Sequence, residues 1–254
     1  MPLRARPGLR LIALDDLRRF AVGRHFPTPT SLTAAIDALG FVQADPIRAP
    51  ARAQDLTLRH RVDDYRAGDL ERRYATLAIE EDVFINYGFV TRPVQALMHR
   101  RLRYAAPQCQ GQLRAALDRA KQRLSHAQVD GADWYWPAGE QPARDAPQDV
   151  VRLLAPFDPL VWDRRRFELL WGWAYRFEAY TPARARKLGY YALPLLWRDR
   201  VIGWGNISMK DGGLVSDLGY ASSRPPRDAA FKRELETELD RLRVFLVTGV
   251  GATM

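Results

Sequence analysis

Residues 40–61 narrow the choice of fold more than any other stretch of this chain. Gly40 ends an apolar helical segment, Phe41 and Val42 lead on as an extended pair, and Pro46 biases Asp45 away from the helical region. If 41–45 is extended, side chains alternate between faces, so Gln43 and Asp45 point the same way. Cations follow in quick succession: Arg48, Arg52, Arg59 and Arg61, with His60 among them. The residues admit two readings. Asp45 ahead of Pro46 has the form of a helix N-cap with proline in the first turn, which on periodicity alone is the commoner solution. An amide and a carboxylate on one face can equally hold and activate a water beside a phosphate backbone.

The elements around this stretch predict an α+β chain. A basic arm covers 1–10, and Leu11, Ile12, Leu14, Leu17 and Phe20 then recur at helical spacing. A second helix over 32–39, with Thr30 or Ser31 at its cap, stops at Gly40, and the pattern turns helical again over 51–62. Two short helices, a polar reversal and a third, basic helix follow the order of a helix-turn-helix or winged-helix unit. A helix over 69–74, an acidic-apolar segment over 77–84 and a basic helix ending at 98–103 continue it. Glu80, Glu81 and Asp82 have no second carboxylate cluster beside them and read as a solvated or arginine-paired face.

A narrow apolar stripe predicts one exposed helix over 108–128, followed by a loop-like linker at 129–149. Trp134, Tyr135 and Trp136 in that linker suit a docking surface or a base-stacking platform. Beyond it the chain predicts a strand at 150–154, a helix over 161–171, an alternating strand at 176–180 and a hairpin of 190–197 with 201–208. Asp158 and Asp163 fit the capping of a turn and of a helix. A turn at Asp211-Gly212-Gly213 precedes a strand at 214–218, and an amphipathic helix over 228–247 closes the chain. The expected architecture is an N-terminal helical, winged-helix-like DNA-binding domain (1–106), a helix and linker (107–149) and a C-terminal α+β domain (150–254). The last is a small antiparallel β-meander with flanking helices.

Charge separates the candidate functions. The 39 lysines and arginines exceed the 30 acids, for a net charge of +9, and the isoelectric point is near 10.0. Such an excess favours a polyanionic partner, nucleic acid before an acidic membrane surface. Cys109 is the single cysteine, so an intrachain disulfide and a cysteine-based metal cluster are excluded. His25, His60, His99 and His126 lack metal-ligand spacing, and no apolar run approaches the ~18 residues of a membrane span. No cofactor is called for, and the expected setting is the cytoplasm, in association with the nucleoid.

Two separated stretches resemble the winged-helix DNA glycosylases that remove alkylated purines and unhook interstrand crosslinks, the YcaQ-like family. The first is Gly40-Phe41-Val42-Gln43-Ala44-Asp45 with Ala51-Arg52-Ala53-Gln54-Asp55-Leu56-Thr57-Leu58, similar to that family's Gln-x-Asp motif and the helix after it. The second is Leu154-Ala155-Pro156-Phe157-Asp158-Pro159-Leu160-Val161-Trp162-Asp163-Arg164, with Tyr190-Tyr191-Ala192-Leu193-Pro194 and Val201-Ile202-Gly203-Trp204. Together they cover something over half the chain, with a shortened middle between them. The resemblance implies a monofunctional DNA glycosylase in which Gln43 and Asp45 are catalytic. Arg48, Arg52, Arg59, His60 and Arg61 would contact DNA, and no metal would take part. The substrate would be double-stranded DNA carrying alkylated purines or crosslinks, met by a monomer. The competing expectation is a non-catalytic winged-helix DNA-binding or regulatory protein that keeps the motif as a helix cap.

Overall fold

The computed structural model describes residues 12–98, 109–142 and 146–250. The basic arm at 1–10, the end of the basic helix at 99–103 and the expected domain boundary at 106 lie outside them. The described chain is a mixture of helices and antiparallel sheets, as the sequence predicts.

Helix α1 (Leu14–His25) begins where the Asp16 carboxylate accepts the Ala13 N–H at 3.0 Å. Helix α2 (Leu32–Leu39) is capped by Ser31, whose hydroxyl accepts the Ala34 N–H at 3.3 Å, and closed by Gly40 in the left-handed region (φ +69°). The chain then extends as β1 (Phe41–Gln43), before the short helices α3 (Ala53–Leu58) and α4 (Asp69–Arg73). Strands β2 (Ile79–Val83) and β3 (Tyr87–Thr91) complete an antiparallel sheet of order β1-β3-β2. Helix α5 (Arg92–Met98) follows directly. The register sets Gln43 opposite Gly88, where a Cβ would stand 2.4 Å from the Val42 carbonyl and 2.9 Å from the Gln43 Cα. Only a residue without a side chain lets β1 approach this closely.

The middle of the chain departs from expectation. Helix α6 (Cys109–Lys121) ends early, and β4 (Leu124–Val129) pairs with β5 (Ala132–Pro137) through the turn at Asp130 and Gly131. Both turn residues have positive φ (50° and 76°), the backbone of a tight two-residue hairpin. The expected linker is therefore a hairpin. Trp136, buried, packs with Leu17, Val129 and Leu170, and its indole N–H donates to the Glu140 carbonyl at 3.2 Å.

The second half holds a four-stranded antiparallel meander of order β6-β7-β8-β9: β6 (Val151–Leu153), β7 (Leu193–Trp197), β8 (Arg200–Lys210) and β9 (Gly213–Tyr220). Helix α7 (Arg164–Trp171) starts at Asp163, whose carboxylate accepts the Arg166 N–H at 2.9 Å. Helix α8 (Ala229–Val250) lies across β6 and β9. Residues 176–180 form no strand. Glu178 instead turns inward and accepts the N–H groups of Lys187 and Leu188 at 2.8 Å and of Gly189 at 3.3 Å, so local hydrogen bonds replace a ladder.

One buried apolar cluster runs through both halves, joining Val42, Leu56 and Phe89 to Leu153, Leu193, Phe231 and Leu242. Polar ties cross it at Arg59, His60 and Arg61, the three residues expected from sequence to contact DNA, whose side chains here bind within the protein. Arg61 is 3% exposed and grips Asp158 with both terminal nitrogens (2.8 and 3.0 Å), while donating to the carbonyls of Thr57 and His25. Arg59 pairs with Glu238 and donates to the Leu153 carbonyl. His60 reaches the same carbonyl at 3.0 Å; burial, and then the Arg59 guanidinium, hold it well below the usual histidine range, so it is neutral. The hydrogen bonds of these three side chains run to the protein interior.

Asp158→Ala leaves the Arg61 guanidinium buried and uncompensated, and should lower unfolding free energy by about 3–5 kcal/mol in urea titration. A loss under about 1 kcal/mol would mean the pair does not hold the halves together. Gly88→Ala should cost about 1–3 kcal/mol in the same assay, because the added methyl meets backbone that cannot turn away.

Candidate active site

Gly40 and the β1–β3 pairing present Gln43 at the end of a short strand. Its Oε1 accepts from the Asn86 Nδ2 at 3.2 Å, and Asn86 sits in the turn between β2 and β3. Gln43 is 7% exposed and lines a cavity of about 360 Å³, within the range of small-molecule sites. The opposite walls come from the second half of the chain: Phe157, Trp162 and Phe177, with Arg164 exposed at the rim. Phe157 and Phe177 meet edge to face at 4.7 Å, and Trp162 lies 5.9 Å from Phe41. The cavity thus joins two amides from the first half, Gln43 and Asn86, to an aromatic wall built by the second.

Two residues further on, Asp45 is 8% exposed. It caps no helix. Its Oδ1 accepts the Ile47 N–H at 2.8 Å in a local turn, and its own N–H meets the Gln54 Oε1 at 3.4 Å, while α3 starts eight residues later behind Arg52. Burial raises the Asp45 carboxyl above the ordinary aspartate range, with the Ile47 hydrogen bond partly opposing it. Asp45 is not among the residues lining the cavity. Its charge acts on Tyr191, whose ring meets the cavity-lining Phe177 at 5.2 Å.

The arginines around the motif separate into two groups. Arg48 is exposed beside Asp45. Arg52 is half-buried in a 2.8 Å pair with Glu71, which also accepts from the Gln54 side chain. Arg59, His60 and Arg61 are the interior ties described above. Sequence reading missed Asn86, Phe157, Trp162, Phe177 and Tyr191. Phe157, Trp162 and Tyr191 lay in the stretches that carry the family resemblance; a turn asparagine gives no such signal. Among the described residues no three histidine, cysteine, aspartate or glutamate side chains gather as a metal site, and no helix is long and apolar enough to cross a membrane.

The fold has a counterpart among solved structures. The solved structure of the Streptomyces sahachiroi DNA glycosylase AlkZ shares the fold, with a TM-score of 0.57 over 94% of this chain and 98% of that one, at 11% identity. A family model described as DNA glycosylase AlkZ-like matches residues 36–111 and 108–245. The matched spans contain Gln43 and Asp45 as well as the Phe157, Trp162 and Phe177 wall. The chain belongs to the AlkZ-like DNA glycosylase family.

Proposed function

We propose that the protein hydrolyses the N-glycosidic bond of N7-alkylated purines in double-stranded DNA, and that purines crosslinked through the same nitrogen meet the same chemistry. The observation that carries this is the placement of Gln43 in an aromatic cavity with the buried carboxylate of Asp45 two residues on. The element order helix-strand-helix-helix-strand-strand, with sheet order β1-β3-β2, supports reading the N-terminal unit as a winged helix.

An N7-alkylated purine already carries positive charge and leaves as a neutral base, so no general acid is needed. What remains is to stabilise charge developing on the sugar and to deliver water to C1′. The Asp45 carboxylate suits both tasks, as a fixed negative charge facing an oxocarbenium-like centre and as the acceptor of a water proton. Gln43, fixed by Asn86, offers its amide N–H to the same water. The aromatic wall of Phe157, Trp162 and Phe177 suits a flat, cationic base, and exposed Arg48 and Arg164 suit the flanking phosphates. Arg52 would contribute only by leaving Glu71. The rival reading of the motif as a helix cap loses its structural basis, since Asp45 bonds within a turn and α3 has its own start.

In single-turnover release of 7-methylguanine from alkylated duplex, Asp45→Asn should lower the rate by about 10²–10⁴-fold. Wild-type rates in that variant would sink the proposal. Its thermal behaviour should run the other way. Because the folded pKa of Asp45 is raised, ionising it costs stability as pH climbs from the unfolded value (~3.9) through the folded one. Asp45→Asn should therefore raise Tm at pH 7.5, and the gain should vanish in acid below ~3.9, as read by calorimetry across pH.

A further inference from the structure

Three tyrosines are buried among the described residues, and two have evident partners. Tyr65 donates to the Asp55 carboxylate at 2.8 Å and Tyr175 to the Ala192 carbonyl at 2.7 Å. The third, Tyr191, is 3% exposed, and its hydroxyl has no hydrogen-bond partner. Leaving a buried hydroxyl unsatisfied costs about 1–3 kcal/mol, and a phenylalanine would fill the same space without it. The oxygen is therefore the part of this side chain that packing does not explain.

Its surroundings lead to one place. The Tyr191 ring stands edge-on to Phe177, 5.2 Å away at 88°, and Phe177 is a wall of the cavity that Gln43 lines. Tyr191 belongs to the same buried cluster against which Ala44 and Ile47, close neighbours of Asp45, are packed. Among charged groups, Asp45 acts on Tyr191 most strongly; the other ionisable neighbours are the phenols of Tyr180 and Tyr190. Burial, and then that carboxylate, keep the Tyr191 hydroxyl protonated far above its usual range, so it can only meet Asp45 as a neutral donor.

We propose that Tyr191 is a positioning residue of the Gln43/Asp45 site, its hydroxyl donating to a water that it shares with the Asp45 carboxylate. That hydrogen bond fixes the orientation of the carboxylate from the side facing the core and favours its ionised form against burial. The catalytic consequence rests on the glycosylase reading given above; the link between the two side chains does not.

Tyr191→Phe removes the one oxygen and keeps the ring, so the variant should fold with an unchanged or higher Tm. The Asp45 carboxyl, followed by ¹³C NMR titration, should then move upward in pH by about one unit, since the charged form loses a donor. In 7-methylguanine release, kcat should fall about tenfold with KM for alkylated duplex unchanged, and the acid limb of the kcat profile should move with the NMR titration. A purely structural role would alter Tm and leave both pH profiles in place. An unmoved Asp45 titration overturns the proposal, as does a moved titration with wild-type kcat. Asp45→Asn is assayed in parallel. If it keeps wild-type rates the glycosylase reading falls, and the NMR titration alone then decides whether Tyr191 and Asp45 are linked.

Discussion

The buried pairing of Arg61 with Asp158, flanked by Arg59 with Glu238, is the interaction on which the architecture turns. Each arginine comes from the turn that follows α3 and each acid from the second half of the chain. Buried ion pairs contribute little net stability compared with apolar packing, but they are intolerant of misplacement, because a guanidinium without its partner is strongly penalised. They therefore fix how the first sheet sits against the meander. The Asp158 carboxylate also accepts the Leu160 N–H, which orders the Pro156-to-Trp162 turn and with it the aromatic wall of the cavity.

Much of this was legible in the sequence where one residue suffices to dictate local backbone. Gly40 after an apolar helix, Asp163 ahead of an amphipathic one, and Asp211-Gly212 between alternating strands all do what their chemistry requires. The β4–β5 hairpin was hidden because Leu124 extends the apolar stripe of α6, although Asp130-Gly131 carried the turn signal. At 176–180 alternation suggested a strand, but an inward glutamate meeting backbone N–H groups makes a better local bargain than a ladder.

The site was half legible. Gln43 and Asp45 stand out because Pro46 and Gly40 confine the backbone between them. The interior pairing of Arg59 and Arg61 was hidden for a physical reason: a cation near a candidate phosphate site and a cation neutralised by a distant acid look alike in sequence. Asp158 lies 97 residues from Arg61, Glu238 lies 179 from Arg59, and nothing local announces either. The unpartnered hydroxyl of Tyr191 is equally invisible, since its meaning comes only from what surrounds it.

The cavity's division between the two halves has a consequence for synthesis. A ribosome releases Gln43 and Asp45 long before it releases Phe157, Trp162 and Phe177. Until those rings arrive, the amide and carboxylate stand in open water, without the low-dielectric surroundings that would strengthen their hold on developing charge. On the proposed reading, the growing chain therefore carries its polar pair unarmed, and the pocket that would take the base comes into being only when the C-terminal half packs against the first.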